Sequence, residues 1–156
     1  MNNFPRSAYV HIPFCHRRCF YCDFAIIPLG NTVETVNGYG SKTVKEYLYF
    51  LHKEILSIKH KSPLSTIYVG GGTPSILDPK QIKELIDLFK ENYGIDYGAE
   101  ITMEVDPASF NQDDLLGFIN AGLIDLVSEY KVLIIRYFKS REGVIRKKMQ
   151  KNLVYG

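Results

Sequence analysis

Between Ser7 and Gly122, short β-rich runs alternate with amphipathic helical stretches, and this alternation restricts the fold more than any other feature of the chain. Ser7–Ile12 (SAYVHI) is a β-rich run closed by Pro13. Val44, Leu48, Leu51, Ile55 and Ile58 recur at steps of three and four, the apolar stripe of a helix. Residues 66–69 (TIYV) read as a buried strand stopped by three consecutive glycines. Asp78 as N-cap, Pro79 at the first helical position and Gln81 as the capping-box partner open a second helix, which buries Ile82, Leu85, Ile86 and Phe89. Residues 100–105 (EITMEV) alternate as a strand does, and Pro107 ends them. Asn111 caps a third helix through Leu115, Phe118 and Ile119. Asp113 and Asp114 suit its dipole, and Gly122 is a natural stop. Such an order predicts an α/β fold of parallel strands with right-handed crossovers. It fits an open doubly wound sheet or part of a (β/α) barrel, and three units do not close a barrel.

In both architectures ligands sit beyond the C-terminal ends of the strands. All the chemically loaded segments fall there. After the first strand come Cys15, Cys19 and Cys22, the only three cysteines among 156 residues. CxxxCxxC spacing brings three thiolates onto one short loop, as a metal or cluster site requires. Iron–sulfur clusters are most often held by four such thiolates, so three leave one iron of a [4Fe–4S] cube open to another ligand. A structural zinc site, with His11 or His16 as fourth ligand, competes with this reading, as do a redox pair at Cys19 and Cys22 and plain buried cysteines. His16, Arg17 and Arg18 make the loop electropositive, which favours thiolate over thiol.

The GGGTPS run at 70–75 lacks the lysine of a phosphate loop and the spacing of a dinucleotide fingerprint. Its glycines let a ligand approach the backbone and offer it N–H and C=O groups; a tight turn explains them equally well. Thr102, Glu104 and Asp106 share one face of the third strand. A carboxylate aimed into a barrel interior is costly without a ligand or a partner, although a salt bridge or a solvated strand end would also account for Glu104. Tyr9 faces the same side as His11, with a core position as its default role.

No apolar run approaches the eighteen or so residues of a membrane span. The N-terminus lacks the layout of a secretory signal, and grouped free cysteines fit a reducing cytoplasm. Charge divides unevenly. Residues 1–130 hold 11 Lys and Arg against 16 Asp and Glu, whereas residues 131–156 hold 8 against 1.

The runs YVHIPFCHRRCFYCDF, IYVGGGTPSIL and EITMEVDP occur in an order and spacing that resembles the radical S-adenosylmethionine proteins of the oxygen-independent coproporphyrinogen III oxidase group, over residues 4–122. Asp23 and Phe24 after the third cysteine look more like the heme-chaperone branch, because the oxidase tends to carry a cysteine at the place of Phe24. The resemblance implies a partial (β/α) barrel in which Cys15, Cys19 and Cys22 bind a [4Fe–4S] cluster. The open iron would be chelated by S-adenosylmethionine, and reduction would yield methionine and a 5′-deoxyadenosyl radical. Tyr9, Tyr21, Gly71, Gly72, Thr73 and Glu104 would line the S-adenosylmethionine site. The resemblance further implies an electron donor, a porphyrin or heme as small-molecule partner, and heme-acceptor proteins in the chaperone branch.

After Gly122 the expected AGxNRxSxGVQSF gives way to AGLIDLVSEYKVLIIRYF. Codons beginning one base earlier can spell I-N-R-F-S-F-G-V-Q-S-F-N-N over residues 123–135, and G-R-G-H-T-K-K-D-A over residues 141–150. The expectation is therefore a partial domain over residues 1–122, followed by a basic tail, 123–156, translated out of frame after the loss of one nucleotide. A nucleic-acid or membrane face on that tail is the rival reading. It is disfavoured because the apolar residues of the tail form no clean helix face, and no nucleic-acid partner is expected.

Overall fold

A computed structural model describes residues 4–30, 41–58 and 62–128 in full, and residues 134–139 and 145–150 as backbone. Strand β1 (Ser7–Ile12) leads into two very short strands, β2 (Phe14–Cys15) and β3 (Ile27–Pro28), which pair with each other. Helix α1 (Lys42–Ser57), strand β4 (Leu64–Gly71), helix α2 (Pro79–Asn92) and strand β5 (Ile95–Val105) follow. Helix α3 (Gln112–Asn120) and strand β6 (Asp125–Ser128) come next, then β7 (Ile134–Lys139) and β8 (Ile145–Gln150).

The main sheet has the order β1-β4-β5-β6-β7-β8. Its first four strands are parallel and adjacent in chain order. A doubly wound sheet reverses its order at a switch point. This one does not, and α1 packs on α2 and α2 on α3. The arrangement is that of consecutive units of a (β/α) barrel, left open.

Alternation along the strands divides the sheet into two faces. Val10, Ile12, Ile67, Val69, Ile101, Met103 and Leu126 are buried in one hydrophobic core with Val44, Leu48, Ile82, Leu85 and Phe118 from the helices. The opposite face carries one row at common register, in which Tyr9 pairs with Tyr68, Tyr68 with Thr102, and Thr102 with Asp125. Glu104 lies one pleat further along the same face.

The local signals are met in detail. Asp78 accepts from the Lys80 N–H, and Gln81 completes the capping box behind Pro79. Asn111 accepts from both Asp113 and Asp114. Three expectations change. Strands β4 and β5 begin earlier than their apolar cores, and β4 runs on into Gly70 and Gly71. Ile58 lies past the end of α1 and is exposed. The three strands read from the sequence are one short, because β6 adds a fourth parallel strand beyond Gly122, with Leu123 and Leu126 buried. Gly122 still ends the helical segment, at φ +108°. Residues 31–40 lie outside the described residues, as do the side chains of residues 129–156.

Candidate functional site

The cysteine loop leaves the sheet at the end of β1 and is closed at its neck by β2 and β3. There Leu29 N–H donates to the Cys15 carbonyl at 2.8 Å and Gly30 N–H to that of His16 at 3.0 Å. Arg18, itself exposed, donates to the carbonyls of Cys22 at 3.0 Å and Phe24 at 3.4 Å. Its guanidinium therefore clamps the backbone as well as lending charge. None of the three cysteines is in a disulfide, and all are half-buried.

Beside the loop, β4 ends in the glycine run. Gly72 N–H donates to the Ile12 carbonyl at 2.8 Å and Thr73 N–H to that of Phe14 at 2.7 Å. Gly71 N–H donates to Glu104 Oε2 at 3.0 Å. These N–H groups, read from the sequence as available to a ligand, are thus committed within the protein. The closeness explains why glycine is required. A Cβ on Gly72 would lie 2.6 Å from the Phe14 oxygen and 2.9 Å from Cys15 Sγ. Gly71 combines φ +122° with a His11 ring 2.8 Å from where its Cβ would stand.

One cavity of about 310 Å³ gathers most of the predicted residues. Cys15, Cys19, Cys22, Tyr21, Gly71, Gly72, Thr73 and Glu104 all line it. Its size falls at the lower end of small-molecule sites. Thr73 Oγ1 donates to Cys15 Sγ at 3.5 Å, tying the glycine run to the first cysteine. Among the described residues, no three His, Cys, Asp or Glu side chains are gathered around a single metal-ion position.

Tyr9 stands apart from that cavity. It is 61% exposed rather than part of the core, and it lines a second hollow of about 390 Å³ between β1 and α1. Its ring stacks on Tyr68, centroids 6.0 Å apart, and its hydroxyl meets His11 Nδ1 at 3.1 Å. Desolvation of the phenol, with the Glu104 charge second, raises its pKa above the ordinary tyrosine value. His11 Nε2 meets the Ala25 carbonyl at 3.1 Å. A carbonyl only accepts, so Nε2 donates to it. With both ring nitrogens engaged, His11 is not placed to serve as the fourth zinc ligand that its sequence position allowed.

The residue missed by sequence reasoning is Tyr68, which donates to Glu104 Oε1 at 2.8 Å. A tyrosine inside a strand reads as core. Only the shared register with Tyr9, and the spacing of two from Gly70, pointed to the polar face.

The model of the radical SAM superfamily matches residues 9–129, more than half of the chain. The chain belongs to the radical SAM superfamily. It is 41% identical over 120 residues to the heme chaperone HemW of Synechocystis sp., a match covering 76% of this chain and 28% of that protein. A heme chaperone HemW of Buchnera aphidicola is 30% identical over 173 aligned positions, covering 97% of this chain and 43% of that one. Among solved structures, coproporphyrinogen III oxidase (HemN) from Escherichia coli, described as a radical SAM enzyme, superposes with a TM-score of 0.67 at 34% identity. That match covers 80% of this chain and 27% of the oxidase. The chain thus spans about a quarter to two fifths of the length of these relatives. Its radical SAM family agrees with the resemblance carried by the sequence motifs, as do relatives named as heme chaperones and a coproporphyrinogen III oxidase. Among the described residues, no helix is long and apolar enough to cross a membrane.

Proposed function

We propose that this chain is the cluster- and cofactor-binding portion of a radical S-adenosylmethionine protein of heme metabolism, of the heme-chaperone kind, working in the cytoplasm. The observation that carries the reading is that the three cysteines line the same cavity as Gly71, Gly72, Thr73 and Glu104. Cys15, Cys19 and Cys22 would hold three irons of a [4Fe–4S] cluster. With the N–H groups of residues 71–73 already used, contact with the amino end of S-adenosylmethionine falls to carbonyl oxygens of the turn. Glu104, with one donor on each oxygen, would direct its remaining lone pairs at the cofactor. Tyr21 would close the side of the cavity nearest the cysteine loop, and Tyr9 would act from the neighbouring hollow through its stack on Tyr68. When bound and reduced, the cluster supplies the electron that cleaves the sulfonium of S-adenosylmethionine.

The chaperone assignment is supported by Phe24, 62% exposed at the cavity where the oxidase branch tends to carry a further cysteine. Heme, its acceptor proteins and an electron donor are the corresponding partners. Anaerobic reconstitution of the 156-residue chain with iron and sulfide tests the reading. The expected result is a coloured, iron-retaining protein whose reduced electron paramagnetic resonance spectrum shifts on adding S-adenosylmethionine, with the colour lost in Cys15→Ala. Colourless wild-type protein, or tightly held zinc in place of iron, overturns it. Heme uptake without any 5′-deoxyadenosine identifies a carrier that performs no radical chemistry.

A further inference from the structure

We infer that Tyr68 is a positioning residue that sets the orientation of the Glu104 carboxylate toward the cavity, and that Gly70 is the gap that makes this contact possible. The inference rests on the cofactor role proposed above for Glu104 and adds a residue to it. Glu104 is half-buried on β5, and its two oxygens have separate donors on β4: the Tyr68 hydroxyl at 2.8 Å on Oε1 and the Gly71 N–H at 3.0 Å on Oε2. Donors on both oxygens fix rotation about the terminal bond of the side chain, which a single donor does not. The carboxylate plane is then set by the β4 backbone and by the Tyr68 ring together.

The ring is itself held. It stacks on Tyr9 at an interplanar angle of 17°, and Tyr9 is anchored through its hydroxyl to His11. Gly70 lies two residues beyond Tyr68, on the same face of the sheet. A Cβ there would come to 2.8 Å from Tyr68 Cε1 and 3.2 Å from both Glu104 Cδ and Oε1. The first glycine of the triplet therefore accommodates the Tyr68–Glu104 pair, whereas Gly71 and Gly72 accommodate β1, β2 and Cys15. Three adjacent glycines meet three different neighbours.

Tyr68→Phe removes one hydroxyl and keeps the stacked ring. In the reconstituted, unreduced chain, its dissociation constant for S-adenosylmethionine, measured by calorimetry, is expected to rise about tenfold, the order of one hydrogen bond to a charged group. Iron content is expected to stay unchanged. Combining Tyr68→Phe with Glu104→Gln should weaken binding no further than Glu104→Gln alone, since a residue that acts through another adds nothing once its partner is altered. In protein without S-adenosylmethionine, the Gly71 amide should exchange hydrogen faster in Tyr68→Phe. Equal affinities, or penalties that multiply in the double variant, overturn the inference, and an unchanged Gly71 amide overturns the clamp itself. A wild-type chain that takes up no S-adenosylmethionine instead overturns the cofactor reading, and with it the purpose assigned to Tyr68.

Discussion

Gly72 leaves no room for a side chain on the wall of the cavity. The two atoms that its Cβ would strike are the Phe14 carbonyl oxygen, fixed by β2 and by the Thr73 N–H, and Cys15 Sγ. Neither belongs to the flexible end of a long side chain. Gly72→Ala should cost about 1–3 kcal/mol as overpacking and displace the first cysteine. Iron retention after anaerobic reconstitution should fall well below wild type while far-ultraviolet circular dichroism stays close to it; full retention would contradict the packing described. At this scale the sequence was legible where chemistry restricts residue type. Three cysteines at CxxxCxxC, a glycine run and a mid-strand glutamate stand out without coordinates. Tyr68 did not, and Arg18 stood out for its charge alone, not for its bonds to the loop backbone. The role of Tyr68 comes from cross-strand register, and that of Arg18 from the path of the loop backbone; neither leaves a local signature.

The starts of α2 and α3 were the most legible elements, because a cap is a short-range contract between neighbours in sequence; Ser41 before α1 makes no side-chain cap bond. Asn111 satisfies two backbone donors of α3 and receives Asp114 back on its own N–H. Asn111→Ala should lower stability by about 1 kcal/mol, read as an earlier midpoint in urea unfolding, with iron binding unaltered because α3 lies behind the sheet. Strand limits were less legible. Gly70 and Gly71 have low strand propensity, yet pairing with His11 and Ile12 carries β4 through them. Likewise β6 is only four residues long, and what marks it is its parallel register with β5 from Thr102 to Val105. No period can be read over so short a run.

For the molecule as a whole, alternation of strands and helices foretold the parallel sheet but not its order, since barrel and doubly wound folds share that alternation. The sequential order β1-β4-β5-β6 resolves it. The tail is where sequence and packing meet least clearly. We propose that one nucleotide is missing near codon 122, although burial continues through Leu126 and one relative aligns across most of the chain. The nucleotide sequence is expected to hold an open shifted frame spelling the family's N-R-x-S-x-G-V-Q-S-F run. Early stop codons in that frame would sink the proposal. Whatever the origin of these residues, their placement has a consequence. β7 lies antiparallel along the far side of β6, the position where a growing barrel would lay its next parallel strand. Any segment that sought to extend the barrel would meet that edge already capped, and would have to peel β7 away before its own hydrogen bonds could form.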